Sequence, residues 1–428
     1  MSIAADRALE LERKLASFPA ELATWLAVSE AGQPFEKHHT QIRRLALQMT
    51  GLHDTVLAEL QRRAAEGTLL TYSRSIEQRA LAVHTVWDFF RSKFALRAVE
   101  PAGSYLKTAD AFARECYEAP ASARREPPLV TFDNRISPWA LTRERRYHPP
   151  SDPGGFLGTQ DFTAVIERLP IPLLGLPWHY AAYLPHLVFL AHEAGHAYER
   201  DHESEEAIAA ALDAAPLAPL RRAAWQAWRR EVYADLHAVF TAGPAYAAAL
   251  AELLQGDPAR IAAETAPEQY PSTTLRILLA AQALQHLGDA QADQVRTAWR
   301  GHYPTHGLQD WEDDLPIVVT AVYAAVGLPD ALAWKPRHQT QARTLAALLR
   351  AGASLSVTDV YPVRVLVAAA RELMDAPAHW AALIAHAVRS RPPGLLAGDT
   401  RRAATFDAAA EHQAGAALAA RLFDGLDD

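Results

Sequence analysis

Leu190-Ala-His192-Glu193-Ala-Gly-His196-Ala-Tyr198 is the stretch on which the reading of this chain turns. Two histidines four positions apart share one face of a helix, a turn above one another, so both imidazoles can reach a single metal ion. Glu193 follows the first histidine and leans toward the position such an ion leaves for water, where a carboxylate can act as general base. The helix this requires is signposted: Pro185 suits a first turn, and Leu187, Leu190, Ala191 and Ala194 form an apolar face. Gly195 costs about 1 kcal/mol of helix propensity relative to Ala, which close packing of a second helix or a substrate strand would justify.

Such a site needs a third protein ligand. The leading candidate is Glu231 in Trp228-Arg-Arg-Glu231-Val-Tyr-Ala-Asp235-Leu-His-Ala-Val-Phe240, a helix that stops at Gly243-Pro244. Val232, Leu236 and Val239 mark its apolar stripe, and Glu231 and Asp235 sit beside that stripe one turn apart, where solvated carboxylates would be out of place. Glu231 would complete a His2Glu set, and Asp235 would accept the outer N–H of His192 or His196 and fix its tautomer.

The pairing of a His-Glu-x-x-His helix with a later Glu-x-x-x-Asp helix resembles the gluzincin branch of the zincin metallopeptidases. Downstream, Glu268-Gln-Tyr270-Pro271-Ser-Thr-Thr-Leu-Arg276-Ile is similar to the His-Pro…Arg-Ile segment of the prenyl-protease and heat-shock gluzincins, with Tyr270 standing where that branch has His. The transmembrane helices of those enzymes are missing. The resemblance covers roughly residues 185–278 and implies one Zn2+ per chain on His192, His196 and Glu231, with Glu193 as general base. It also implies a donor to the developing oxyanion, for which Tyr270, Arg276, His237 and His179 are candidates, the first two preferred. His202 is the rival third ligand, because His192-Glu-x-x-His196-x-x-Glu199-x-x-His202 has the metzincin count. Metzincins, however, turn sharply on a Gly where this chain has Glu199.

Composition bounds the rest. The chain has 428 residues, enough for two to four domains or one elaborate enzyme, with 42 Lys and Arg against 50 Asp and Glu. A net charge of −8 without a basic tract argues against a nucleic-acid clamp. The one cysteine, Cys116, rules out an intrachain disulfide or a thiolate zinc knuckle and reads as structural, so any metal site must be built from His and carboxylates. No secretory signal is visible, and runs such as Leu187 to Ala191 and Ile317 to Leu328 fall short of the roughly 20 apolar residues that span a bilayer. A soluble, cytoplasmic protein with no membrane or nucleic-acid partner is expected.

The chain reads as mainly α. Residues 1–100 form an N-terminal helical accessory lobe, since Ile42, Leu45, Met49, Leu52 and Val56, then Ile76, Ala80, Val83, Trp87, Phe90 and Phe94, recur at spacings of three and four. Residues 101–300 form a zincin-like catalytic domain, with a small sheet or irregular subdomain in 101–180 and metal-binding helices in 181–300. Short β-prone runs occur at Leu129 to Phe132 and Ile171 to Leu174, and Pro in or beside them predicts edge strands. Leu169 to Pro177 is thereby a candidate edge for an extended substrate. Residues 301–428 form a C-terminal helical region.

The expected function is hydrolysis of peptide bonds in a peptide or protein substrate by a metal-activated water. The alternatives are a zincin-derived binding or regulatory module without peptidase activity, and hydrolysis of a non-peptide amide by the same water.

Overall fold

A computed structural model describes residues 2–117, 126–142, 171–181, 183–263, 270–303, 307–389 and 407–423. Pro170 and Glu268 lie outside them. The described residues are mainly helical, as the apolar spacing predicts, with one three-stranded sheet.

The N-terminal lobe is built from α1 (Ile3–Ala27), α2 (His39–Ala65) and α3 (Leu69–Ala95). The residues at spacings of three and four face inward: Ile42, Leu45, Met49, Leu52 and Val56 of α2 meet Ile76, Val83, Trp87, Phe90 and Phe94 of α3, all buried. The helix Ala408–Leu422 crosses back from the far end of the chain and lies against α2. Two glycines set its distance. A Cβ on Gly51 would fall 2.1 Å from the carbonyl oxygen of His412, and one on Gly415 would fall 2.0 Å from that of Gln48. Arg44 and Gln48 then close on the buried Glu411. Gly415→Ala should therefore lower the unfolding free energy by about 1–3 kcal/mol, the usual cost of overpacking. An unchanged denaturation midpoint would contradict this backbone-to-backbone contact.

The sheet consists of β1 (Leu129–Asp133), β2 (Trp139–Leu141) and β3 (Leu173–Pro177) in the order β1-β3-β2, with β1 parallel and β2 antiparallel to β3. Among the described residues, the expectation of two edge strands holds for β1 and fails for β3, which is central. Its prolines do not break the ladder: Pro172 precedes the strand and accepts from the Leu129 N–H through its carbonyl, and Pro177 ends it. With both sides of β3 paired, the stretch ending at Pro177 cannot serve as an edge for substrate. Alternation divides the side chains between two cores: Leu129 and Leu173 join the N-terminal lobe, whereas Val130, Phe132, Leu174 and Leu176 join the central core. The sheet is thus a shared wall, buried on both faces, which suits its parallel pair.

Beyond the wall lie α4 (Ala102–Tyr117), α5 (Leu190–Asp201), α6 (Glu205–Ala214), α7 (Pro219–Ala242), α8 (Pro244–Leu254), α9 (Pro258–Ala262) and α10 (Thr273–His286). They are followed by α11 (Ala292–His302), α12 (Gln309–Val326), α13 (Pro336–Arg350), α14 (Val363–Glu372) and α15 (Trp380–Arg389); the returning helix 408–422 is α16. Residues from α4 to α15 share one continuous apolar core, so 309–389 pack with the central helices while α16 packs with the N-terminal lobe. No helix among the described residues is long and apolar enough to cross a membrane.

Candidate metal centre

The chain enters the site through a 3-10 turn at Leu184–Phe189, with Pro185 at its start, and then continues as α5. Leu187, Leu190, Ala191 and Ala194 are fully buried, so the predicted apolar face anchors the helix. Gly195 finds its reason in a second helix: a Cβ there would lie 3.0 Å from the His237 Cβ and 3.2 Å from the Ala234 Cα of α7. The bare glycine lets α7 settle onto α5, which brings the carboxylates of one beside the imidazoles of the other.

His192 Nε2 lies 3.2 Å from one oxygen of Glu231, and His196 Nε2 lies 3.5 Å from the other. The two imidazole planes stand 89° apart. Among the described residues, His192, His196 and Glu231 form a group whose ligand atoms all fall within 4.8 Å of one another. Two ligands each about 2.0–2.1 Å from a tetrahedral zinc lie roughly 3.3 Å apart, close to the two His-to-Glu separations. Two imidazole nitrogens and one carboxylate are also the donor set of catalytic zinc sites that keep a fourth position for water. The charge balance suits a divalent cation: among the described residues, Glu193, Glu231 and Asp235 bring three carboxylates to the site against the guanidinium of Arg276. On donor type, spacing and charge, the residues fit Zn2+.

Behind these groups sits Asp235, fully buried. It accepts His192 Nδ1–H at 2.9 Å, so that a neutral His192 ring would carry its lone pair on Nε2, the atom facing the cluster. Both arms of Arg276 from α10 also reach it, Nε to Oδ2 and Nη2 to Oδ1, each at 2.8 Å. Burial works against the charge on Asp235, but Arg276 overcomes it and holds the carboxyl well below the usual range. Glu231 is likewise desolvated, yet hydrogen bonds from His192 and His196 hold it far below the ordinary carboxylate value. Burial disfavours the imidazolium of His192, whereas Asp235 and Glu231 favour it and push its pKa up to about 10. Those anions are what a cation would meet. Glu193 is buried too, and desolvation pushes its carboxyl up against the pull of the two imidazoles, toward the range useful to a proton carrier.

Of the four candidates for a transition-state donor, Arg276 is committed to Asp235. Tyr270 is 38% exposed, with the Arg276 guanidinium 5.7 Å from its ring centre, and the nearby charge of Glu231 pushes its hydroxyl pKa up. His237 is structural: Nε2 donates to the Cys116 carbonyl at 2.9 Å, Nδ1 accepts from the Tyr233 hydroxyl at 3.2 Å, and burial lowers its pKa to about 4. His179 lies edge-on to Tyr180. The rival ligand His202 stacks on Tyr198 at 3.7 Å and donates through Nδ1 to the Tyr198 carbonyl. It stays away from the cluster because α5 runs on to Asp201 without the sharp turn a third histidine needs, and six helical residues carry it about 9 Å along the axis. Cys116 is a buried free thiol, which burial pushes up to about 12, in keeping with a structural role.

One member of the site has no sequence signature. Tyr246 donates its hydroxyl to Asp235 Oδ1 at 2.5 Å and lies 3.2 Å from His192 Nδ1. It arrives there because the chain reverses at Gly243, where φ is +61°, and Pro244 starts α8 at once. The Gly-Pro pair read as a helix stop was the available signal; the return of the next helix to Asp235 was not encoded locally. Compared with known protein families, curated proteins and solved structures, the chain shows no match.

Proposed function

We propose that the protein is a zinc-dependent hydrolase acting on peptide bonds, with His192, His196 and Glu231 as metal ligands. The observation that carries this reading is the meeting of both Nε2 atoms at the Glu231 carboxylate, with Asp235 orienting His192 from behind. A bound Zn2+ would lower the pKa of a water in its open position and polarise the scissile carbonyl. Glu193 would take a proton from the attacking water and return it to the leaving amine; its burial is costly without such a role, which favours an enzyme over a binding module. Tyr270, exposed and beside Glu231, is the available donor to the developing oxyanion, whereas Arg276 acts through Asp235. The choice of a peptide substrate rests on the gluzincin-like order of His-Glu-x-x-His and Glu-x-x-x-Asp.

The test is metal content of purified wild type, Glu231→Ala and His202→Ala. Near-stoichiometric zinc is expected in wild type and in His202→Ala, with most of it lost from Glu231→Ala. Zinc retained by Glu231→Ala and lost from His202→Ala would overturn the ligand set.

A further inference from the structure

Resting on the zinc site proposed above, we infer that Tyr246 is a positioning residue that fixes the metal-facing tautomer of His192 by supplying its single hydroxyl proton to Asp235. Asp235 Oδ1 receives three groups, His192 Nδ1 at 2.9 Å, Arg276 Nη2 at 2.8 Å and the Tyr246 hydroxyl at 2.5 Å, while Oδ2 takes Arg276 Nε. Arg276 sets the plane of the carboxylate through its two-armed contact. Tyr246 covers the remaining side, because its oxygen lies within reach of both Asp235 Oδ1 and His192 Nδ1.

The proton count then decides the tautomer. A tyrosine hydroxyl has one proton, and an ionised carboxylate only accepts. With that proton directed at Asp235, Tyr246 has none to give His192 Nδ1, and an ionised Asp235 has none either, so the nitrogen facing them must itself carry one. When the ring is neutral, as a metal ligand must be, its lone pair is thereby left on Nε2, the atom that faces Glu231. Tyr246 is 1% exposed and its ring meets Phe189 edge-on, so bulk water has no ready access to replace the hydroxyl. The arrangement depends on the Gly243-Pro244 reversal that brings Tyr246, eleven residues after Asp235, back to the same carboxylate.

The zinc dissociation constant, measured by competition with a chromophoric chelator, reads this role without any substrate. Tyr246→Phe should raise it about 10-fold, at the lower end of the 10–100-fold cost of losing a partner behind a metal ligand. In an Asp235→Asn background the same change should add less than about twofold, since the acceptor it serves is already altered. Tyr246→Phe with wild-type affinity, or with a full effect independent of Asp235, would overturn the inference and leave the ligand set standing. A wild-type protein that binds no zinc would instead overturn both. Should Tyr246→Phe not fold, zinc-loaded wild type labelled with 15N-histidine gives a second reading: a protonated Nδ1 on His192 in nuclear Overhauser contact with Tyr246 is expected. Coordination of His192 through Nδ1, or no such contact, would overturn the role.

Discussion

Glu193→Gln should keep its zinc and lose hydrolysis of a peptide library by about 10²–10⁴-fold, the range attributed to general acid–base catalysis. The amide has nearly the shape of the carboxyl group, so α5 and its packing on α7 at Gly195 are unaffected. It cannot accept a proton from the attacking water. Because Glu193 lies outside the His192, His196 and Glu231 group, metal content is expected to stay within error of wild type. Undiminished cleavage would remove Glu193 from the mechanism, and loss of zinc would make it part of the metal site instead.

The largest effect on stability is expected at Arg276. Asp235 is fully buried and Arg276 is the guanidinium that contacts both of its oxygens. Arg276→Leu would remove the two-armed counter-charge of the carboxylate and leave His192 alone against it, and breaking a buried ion pair costs up to about 3–5 kcal/mol. Denaturant unfolding of the chelator-stripped protein measures this directly. Arg276→Lys keeps the charge but loses the planar fork and should recover only part of the loss. A change below about 1 kcal/mol in Arg276→Leu would mean that Asp235 does not depend on Arg276. The double variant Asp235→Asn, Arg276→Leu should be less destabilised than the sum of its parts, since both changes act on one contact.

What the sequence made legible was local. Positions three and four apart share a helix face whatever the rest of the chain does, so the buried sides of α2 and α3 followed from Ile42 to Phe94. One turn of helix placed His192 with His196 and Glu231 with Asp235, and the small Gly195 pointed to close packing at their junction. What escaped depends on contacts between distant segments. The docking of α16 on α2 is encoded by two glycines more than 350 residues apart, and neither belongs to a periodic pattern. The central place of β3 followed from a proline that falls just outside the ladder, a matter of register rather than composition. The resemblance of Tyr270-Pro271…Arg276-Ile to a gluzincin segment makes Arg276 a candidate transition-state group, but its partner is not legible in the sequence; folding commits its charge to Asp235.

The most direct measurement is anomalous diffraction at the zinc edge from crystals of the zinc-loaded protein. One peak per chain is expected, about 2.0–2.2 Å from His192 Nε2, His196 Nε2 and an oxygen of Glu231. No peak between these three residues, or a peak bound elsewhere with Glu231 turned away, would contradict the account.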